Sequence, residues 1–311
     1  MRNNAKIWHI GLPQKGSPFL LYNFDVNSLK KNIEWYSLAL LFASVLFIWY
    51  GVFAENQAGK LTVSFLDVGQ GDAIFIEGPN GNQVLVDGGP NKAILRELGH
   101  SMPFYDHSID VVMETHPDLD HIGGLPDVLN NYKVETIIED GLRSETAAEK
   151  ELENIVAEKK VNEIIAVRGM KIDLGGGAFL EILSPDRDVS GSDTNTASIV
   201  AKLVYGKTSF LLTGDAPTAI ENYLAKIDGK NLKTDVLKVA HHGSKNSASE
   251  SFLGFASPEV AVISAGLNNR YGHPNQEILD MFNRFGIPFA ETFKDGDIVF
   301  ESDGERVERV K

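Results

Sequence analysis

Thr115-His116-Pro117-Asp118-Leu119-Asp120-His121-Ile122-Gly123-Gly124 follows directly on the apolar run DVVMET (110–115), so ligand-type side chains crowd into residues 116–121 immediately after a predicted strand. Pro117 and Gly123 hold the segment as a loop that opens a helix. Alternate residues of an extended stretch point the same way, which places His116, Asp118 and Asp120 on one face, and a turn at Asp120-His121 brings the last imidazole round. Such a cluster is expected to supply two metal ions. The chain contains no cysteine, which excludes thiol nucleophiles, disulfides, iron–sulfur clusters and Cys-ligated zinc and leaves His, carboxylate and other oxygen ligands.

Outward from this segment, the runs 61–67, 73–77, 83–87, 134–139, 179–184, 198–205, 209–215, 235–240, 259–264 and 297–302 read as strands, several of them apolar on both faces as in buried sheets. Helical patterns fall between them around 92–99, 122–131, 144–160, 217–226 and 274–285, the third so rich in Glu and Lys that it reads as a solvated face. No repeat, low-complexity tract or linker interrupts residues 61–311, so one layered α/β domain is expected there. Asp87, His116 to His121, Asp215 and His241-His242 each fall at or just past the carboxyl end of a predicted strand, the edge at which layered α/β proteins place their sites.

The N-terminal part reads differently. Residues 35–54 carry no charge and would measure about 30 Å as a helix, the hydrocarbon thickness, with Trp35-Tyr36 and Trp49-Tyr50 near the two interfaces. A single transmembrane signal anchor is expected, with a leader cleaved after Val52-Phe53-Ala54 as the alternative. Arg2, Lys6, Lys15, Lys30 and Lys31 precede the span, which predicts a cytoplasmic segment 1–34 and an extracytoplasmic remainder. Residues 61–311 hold 23 basic and 40 acidic side chains, a formal charge of −17. That balance argues against tight, non-specific DNA binding through phosphate neutralisation unless local charge or metal ions supply the attraction.

Further motifs stand in order from about residue 61 to 302: Asp67-Val68-Gly69-Gln70-Gly71-Asp72-Ala73, Leu85-Val86-Asp87-Gly88-Gly89, Leu212-Thr213-Gly214-Asp215-Ala216, Leu237-Lys238-Val239-Ala240-His241-His242-Gly243-Ser244 and Arg270-Tyr271-Gly272-His273-Pro274. With the segment 116–121, they resemble the metallo-β-lactamase superfamily, whose HxHxDH motif appears here with Asp118 where the second His is usual. Within it they are most similar to the C-terminal hydrolase domain of the ComEC competence family. The resemblance implies a four-layer αββα sandwich, a binuclear metal site and hydrolysis of a phosphodiester, with DNA as the expected substrate. Carried over position by position, it implies that His116, Asp118 and Asp215 hold one metal and that Asp120, His121 and a His of the HHGS motif hold the other, with Asp215 bridging. His242 is the expected ligand, and His241 is expected beside the metals or on substrate. The place of a further His in many relatives falls near Asp193-Thr194-Asn195-Thr196-Ala197-Ser198, where Asn195 is a weaker ligand than imidazole. The carboxylate-rich set favours harder ions such as manganese, while the general affinity order favours zinc.

The implied chemistry assigns Asp120 to the nucleophilic water and His273 or His241 to the leaving alkoxide or a phosphate oxygen. Asp72 and Asp87 read either as acceptors for ligating imidazoles or as ordinary turn residues. Ser244, Lys245, Asn246 and Arg270 lie next to metal motifs where they could meet substrate, and Tyr271 reads either as a base-stacking ring or as a core residue. One span cannot line a DNA pore, so a separate channel protein is an expected partner. Two rival functions stay open: a small-molecule phosphodiesterase or esterase of the same fold, and a non-catalytic scaffold of a DNA-uptake complex.

Overall fold

The computed structural model describes residues 26–55 and 59–311, which belong to two compact units, one ending at Gln57 and the other beginning at Ala58. The first unit contains α1 (Val26–Glu55). Its residues 32–52 have a mean hydropathy of 1.7 and are long and apolar enough to cross a membrane, and the large apolar side chains from Ile33 to Tyr50 are exposed. The expected span 35–54 lies within this helix. Most of the expected cytoplasmic segment 1–34, residues 1–25, lies outside the described residues.

The second unit is built on two mixed sheets. The first takes β1 (Leu61–Phe65), β2 (Ile74–Glu77), β3 (Gln83–Val86), β4 (Ser108–Met113), β5 (Lys133–Glu139) and β6 (Asn162–Ile165), and the second takes β7 (Lys171–Gly175), β8 (Ala178–Ser184), β9 (Val200–Tyr205), β10 (Thr208–Leu212), β11 (Val236–Lys238), β12 (Val260–Ile263) and β13 (Phe289–Glu291). The chain then returns to the first sheet as β14 (Ile298–Ser302) and β15 (Val307–Arg309), giving the orders β15-β14-β1-β2-β3-β4-β5-β6 and β13-β12-β11-β10-β9-β8-β7. The two sheets repeat one pattern. In each, three antiparallel strands (β1-β2-β3 and β8-β9-β10) run into a parallel set (β4-β5-β6 and β11-β12-β13).

The period of two along each strand explains why the apolar runs are continuous. Val84 and Val86 of β3, Val63 of β1, Phe210 and Leu212 of β10 and Val262 of β12 meet in a core between the sheets. Their neighbours face outward: Leu85 and Val112 pack under α2 (Ala93–Ser101), the helical turn α3 (Leu119–Ile122), α4 (Leu125–Asn131) and α5 (Ala147–Lys159), while Leu211, Leu237 and Ile263 pack under α7 (Thr218–Asp228), α8 (Glu250–Ala256) and α9 (Gln276–Phe285). Two short helices, α6 (Thr194–Ala197) and α10 (Thr292–Asp295), complete the set. The chain therefore adopts the four-layer αββα sandwich. The solvated reading of 144–160 holds for one side of α5 only, because Glu149, Leu152 and Val156 are buried beneath it.

The β1–β2 connection and the segment 116–124 dock backbone to backbone. Gly71 adopts φ +128°, and a Cβ there would stand 2.0 Å from the Asp120 carbonyl oxygen, which also accepts the Asp72 N–H at 3.2 Å. Gly71→Ala must push these two loops apart. We expect the substitution to cost about 2 kcal/mol or more by thermal unfolding and to weaken metal binding at the same time.

Candidate metal centre

The parallel strands deliver their polar residues to one edge. Asp87 follows β3, His116 follows β4, Asp215 follows β10 and the His241-His242 pair follows β11, as the strand-end reading anticipates. The segment 116–121 departs from that reading in one respect. It bends at His116-Pro117, where the Asp118 N–H donates to the His116 carbonyl at 3.0 Å, and only Asp118 (φ −86°, ψ 144°), the residue preceding α3, is extended, so Asp120 and His121 lie in a helical turn. His116 and Asp118 therefore face one side of the centre, while Asp120 turns toward His242.

Three buried imidazoles are held by their Nδ1 atoms. His121 Nδ1 donates to Asp87 Oδ2 at 2.7 Å, and His242 Nδ1 donates to the Ser264 carbonyl at 2.9 Å. Thr115 Oγ1 donates to Asp87 Oδ2 at 2.7 Å and so receives the His116 Nδ1–H at 3.1 Å. Each arrangement leaves Nε2 free to ligate, the usual service of groups behind a metal site. The three Nε2 atoms converge on Asp215: His121 at 3.4 Å from Oδ1, and His242 at 3.5 Å and His116 at 4.0 Å from Oδ2. His242 Nε2 also lies 3.3 Å from Asp120 Oδ2, and His116 Nε2 lies 3.6 Å from Asp118 Oδ2. Nε2 of His116, His121 and His242 and Oδ1 of Asp215 are buried without a hydrogen-bond partner. Buried polar atoms are seldom left so, and here they face one another in a set of nitrogen and carboxylate donors that suits divalent cations.

Among the described residues, two trios with ligand atoms within 4.8 Å of one another are made only of expected ligands, Asp120, His121 and His242, and His116, His121 and Asp215, while Asp72 enters two more, with Asp87 and His121 and with Asp215 and His242. The first is the set expected for one metal. The second shares His116 and Asp215 with the set expected for the other, but Asp118, with a side chain 41% exposed, stands at its rim. His241 is 26% exposed, with Nε2 3.7 Å from Asp215 Oδ2 and Nδ1 3.4 Å from the Asn195 amide nitrogen. His241 and His242 both adopt left-handed backbone (φ 49° and 53°), as does Asp87 (φ 59°), and this turn sends one imidazole inward and the other to the rim. Ser198 Oγ accepts the Asp215 N–H at 3.3 Å and so positions that carboxylate. Ser244 Oγ accepts the Asn246 N–H within its own turn, and Lys245 donates its backbone N–H to Asn275.

Asp72 lies behind both trios, its Oδ1 3.4 Å from His242 Nδ1, and is paired with the fully buried ammonium of Lys238, which also donates to the Gly214 carbonyl at 3.2 Å. Motif position alone does not single out Lys238, although a lysine in a strand buried on both faces calls for a carboxylate partner. Lys238→Met would leave Asp72 buried without its counter-charge, and a loss of about 3–5 kcal/mol in stability is expected by denaturant unfolding.

Burial opposes charge throughout the cluster, yet the carboxylates prevail. Burial pushes His242 down, but Asp215 and Asp72 outweigh it and raise it to about 9, and Asp215 and Asp87 hold His121 well above the usual imidazole range. In return His242 and His121 overcome the burial of Asp215 and keep it well below the usual carboxylate range. At the rim, burial and then the neighbouring imidazoles lower His273 to about 4, and burial lowers His241, so both are neutral at pH 7. A divalent cation held by these side chains would replace the protons on His121 and His242.

Residues 66–266 match the Lactamase_B family, the metallo-beta-lactamase superfamily. The chain is 31% identical to ComE operon protein 3 of Bacillus subtilis over 91% of this chain and 39% of that protein. It is also 31% identical to Recombination protein 2 of Haemophilus influenzae over 82% of this chain and 31% of that protein. It thus spans well under half the length of either relative. Among solved structures, Zn(2+)-bound PqqB from Methylobacterium extorquens superposes with a TM-score of 0.50 at 10% identity, covering 75% of this chain and 97% of that one. CmlA, a diiron β-hydroxylase from Streptomyces venezuelae, also gives 0.50, at 14% identity, covering 80% of this chain and 54% of that one. At such identities these structures share the fold alone.

The raised His242 has a consequence for stability without metal. Its proton is held more tightly folded than unfolded, so its contribution is complete below about pH 6.5 and is lost as pH rises through about 9. In chelator, the melting temperature of the full chain should fall by about 5 °C or more between pH 6.5 and 9.5, and added manganese or zinc should flatten that slope. A metal-free melting temperature that is level across this window would contradict the assignment.

Proposed function

The chain belongs to the metallo-β-lactamase superfamily, and from that membership we propose a membrane-anchored, metal-dependent phosphodiesterase that cleaves DNA at the extracytoplasmic face during DNA uptake, beside a DNA-conducting membrane protein. The observation that carries the hydrolase reading is the convergence of the unpartnered Nε2 atoms of His116, His121 and His242 on Asp215. The DNA-uptake reading is supported by the likeness to ComE operon protein 3 and to Competence protein ComA of Neisseria gonorrhoeae, the latter 37% identical over 40% of this chain and 18% of that protein. The apolar helix α1 and the basic residues that precede its span support the anchor and its orientation.

In this reading His116, Asp118 and Asp215 hold one divalent ion and Asp120, His121 and His242 the other, with manganese or zinc as the working metal. Bound there, the ions acidify a water nucleophile and stabilise charge on phosphate oxygens. The remaining work belongs to the chain. Asp120, kept ionised despite burial by the neighbouring His242 and His121 imidazoles, orients the nucleophile by accepting its proton-bearing edge. His241 and His273 stand with ring centroids 5.5 Å apart on the open side, both neutral at pH 7. A neutral imidazole offers one N–H to a non-bridging phosphate oxygen and is a poor acid, which assigns the pair to gripping the phosphate more than to protonating the alkoxide. Lys238, through Asp72, keeps the buried carboxylates tolerable before metal arrives.

The test is metal content and turnover of the full chain in detergent, with single-stranded DNA, double-stranded DNA and bis-p-nitrophenyl phosphate as substrates. Cleavage of DNA is expected only with added manganese or zinc, and Asp120→Asn should lower kcat by about 10²–10³. Cleavage of the small diester alone would favour a small-molecule phosphodiesterase, a reading to which the acidic balance of residues 61–311 lends support. Bound metal with no turnover of any diester would sink the hydrolase reading.

A further inference from the structure

A depression of about 340 Å³ opens directly beside the metal-ligand cluster, with Asp120 itself in its wall alongside Gln70, Pro90, Leu119, Arg270 and Tyr271. Leu119 is 61% exposed and Tyr271 48% exposed, which removes the core-packing reading of Tyr271 and leaves two large apolar groups held in water next to the site. The Tyr271 ring is stacked on His273, the imidazole assigned above to gripping the phosphate, with centroids 5.8 Å apart and planes inclined by 21°. The Arg270 guanidinium lies 4.7 Å from the Tyr271 centroid and adds a planar cation to the same wall. Gln70 Oε1 accepts the Gly266 N–H at 3.1 Å, which fixes the orientation of the amide, and Gln70 Nε2 is then a buried donor without a partner.

We propose that this depression is a base subsite, in which one unstacked nucleobase of the strand being cut lies against Leu119, Tyr271 and Arg270. The inference rests on the phosphodiester reading above and adds how the strand is held. The volume sits at the low end for small-molecule sites and suits one base with its sugar, not a base pair. Stacking also answers the charge problem. A domain with a formal charge of −17 has little to gain from phosphate neutralisation along the strand, whereas a base face stacked on a side chain contributes regardless of the surface charge. The subsite accepts a base only after it leaves its pair and its stack, so a paired end is held less well than a free one.

The measurement is binding by fluorescence anisotropy of the full chain in detergent, metal-free to prevent cleavage. The probes are a labelled oligothymidylate, an abasic strand of equal length and a blunt duplex, with turnover of all three and of bis-p-nitrophenyl phosphate followed separately with manganese. Oligothymidylate is expected to bind at least fivefold more tightly than the abasic strand. Tyr271→Ala should weaken oligothymidylate about five- to 150-fold while leaving the abasic strand little changed, and Tyr271→Phe should restore the difference. Equal binding of the oligothymidylate and abasic strands, or an unaffected Tyr271→Ala, overturns the subsite. If all diesters are cleaved at rates indifferent to the base, the subsite fails and the phosphodiesterase stands. If the base-dependent binding is found but no diester turns over, the subsite stands and the hydrolase reading fails.

Discussion

A carboxylate that is 3% exposed, as Asp215 is, stays ionised only if positive charge surrounds it. The imidazoles of His116, His121 and His242 face it from both sheets, and each is in turn held from behind by Thr115, Asp87 or the Ser264 carbonyl. Much of the sandwich can be understood from that requirement. The loops that carry these residues must reach one point, so the strands that feed them must end at one edge. Asp72 and Lys238 form the innermost layer, a buried ion pair that offsets part of the negative surplus.

The likeness of the two sheets gives the centre its symmetry. Asp87 after β3 and Asp215 after β10 occupy equivalent places in their sheets, as do His116 after β4 and the His241-His242 pair after β11. One half uses its carboxylate to hold an imidazole, since Asp87 accepts from His121 and Thr115; the other aims its carboxylate into the centre. Equivalent strand ends thus supply unequal functions. The difference lies in the turn that follows each strand and in the direction its side chain is sent.

The strand ends are legible in the sequence because the chemistry there is dense: His and Asp gather directly after runs of Val, Ile and Leu, where a chain that needed only a turn would more often place Gly, Asn or Ser. The interior strands are legible for a related reason, since burial on both faces demands an unbroken apolar run. The strands that the apolar pattern does not mark, β6, β7, β13 and β15, are the four edges of the two sheets. Residues such as Asn162, Glu163, Lys171, Asp173, Glu308 and Arg309 stand in three of them, the polar composition that keeps an edge from pairing with another chain and that also hides its period. β13 is only three residues long. Within the site, alternation puts Asp120 on an extended face, whereas the helical turn at Leu119–Ile122 begins earlier than the apolar pattern indicates. Lys238 is hidden by its neighbours, a single polar letter in an apolar word.

His241 and His242 lie in succession in left-handed backbone, followed by Gly243 at φ 80°, and Asp87 is left-handed as well. Each non-glycine residue so placed costs on the order of 1 kcal/mol or more relative to a relaxed alternative. That energy is concentrated at positions whose side chains belong to the proposed centre. A search for thermostable variants of this protein would therefore find its easiest gains, glycine or asparagine at 241 or 242, at the sites where the proposed activity has most to lose. Stability and activity pull in opposite directions along one short turn, and a library selected for heat resistance alone would drift toward a well-folded sandwich with a dead centre.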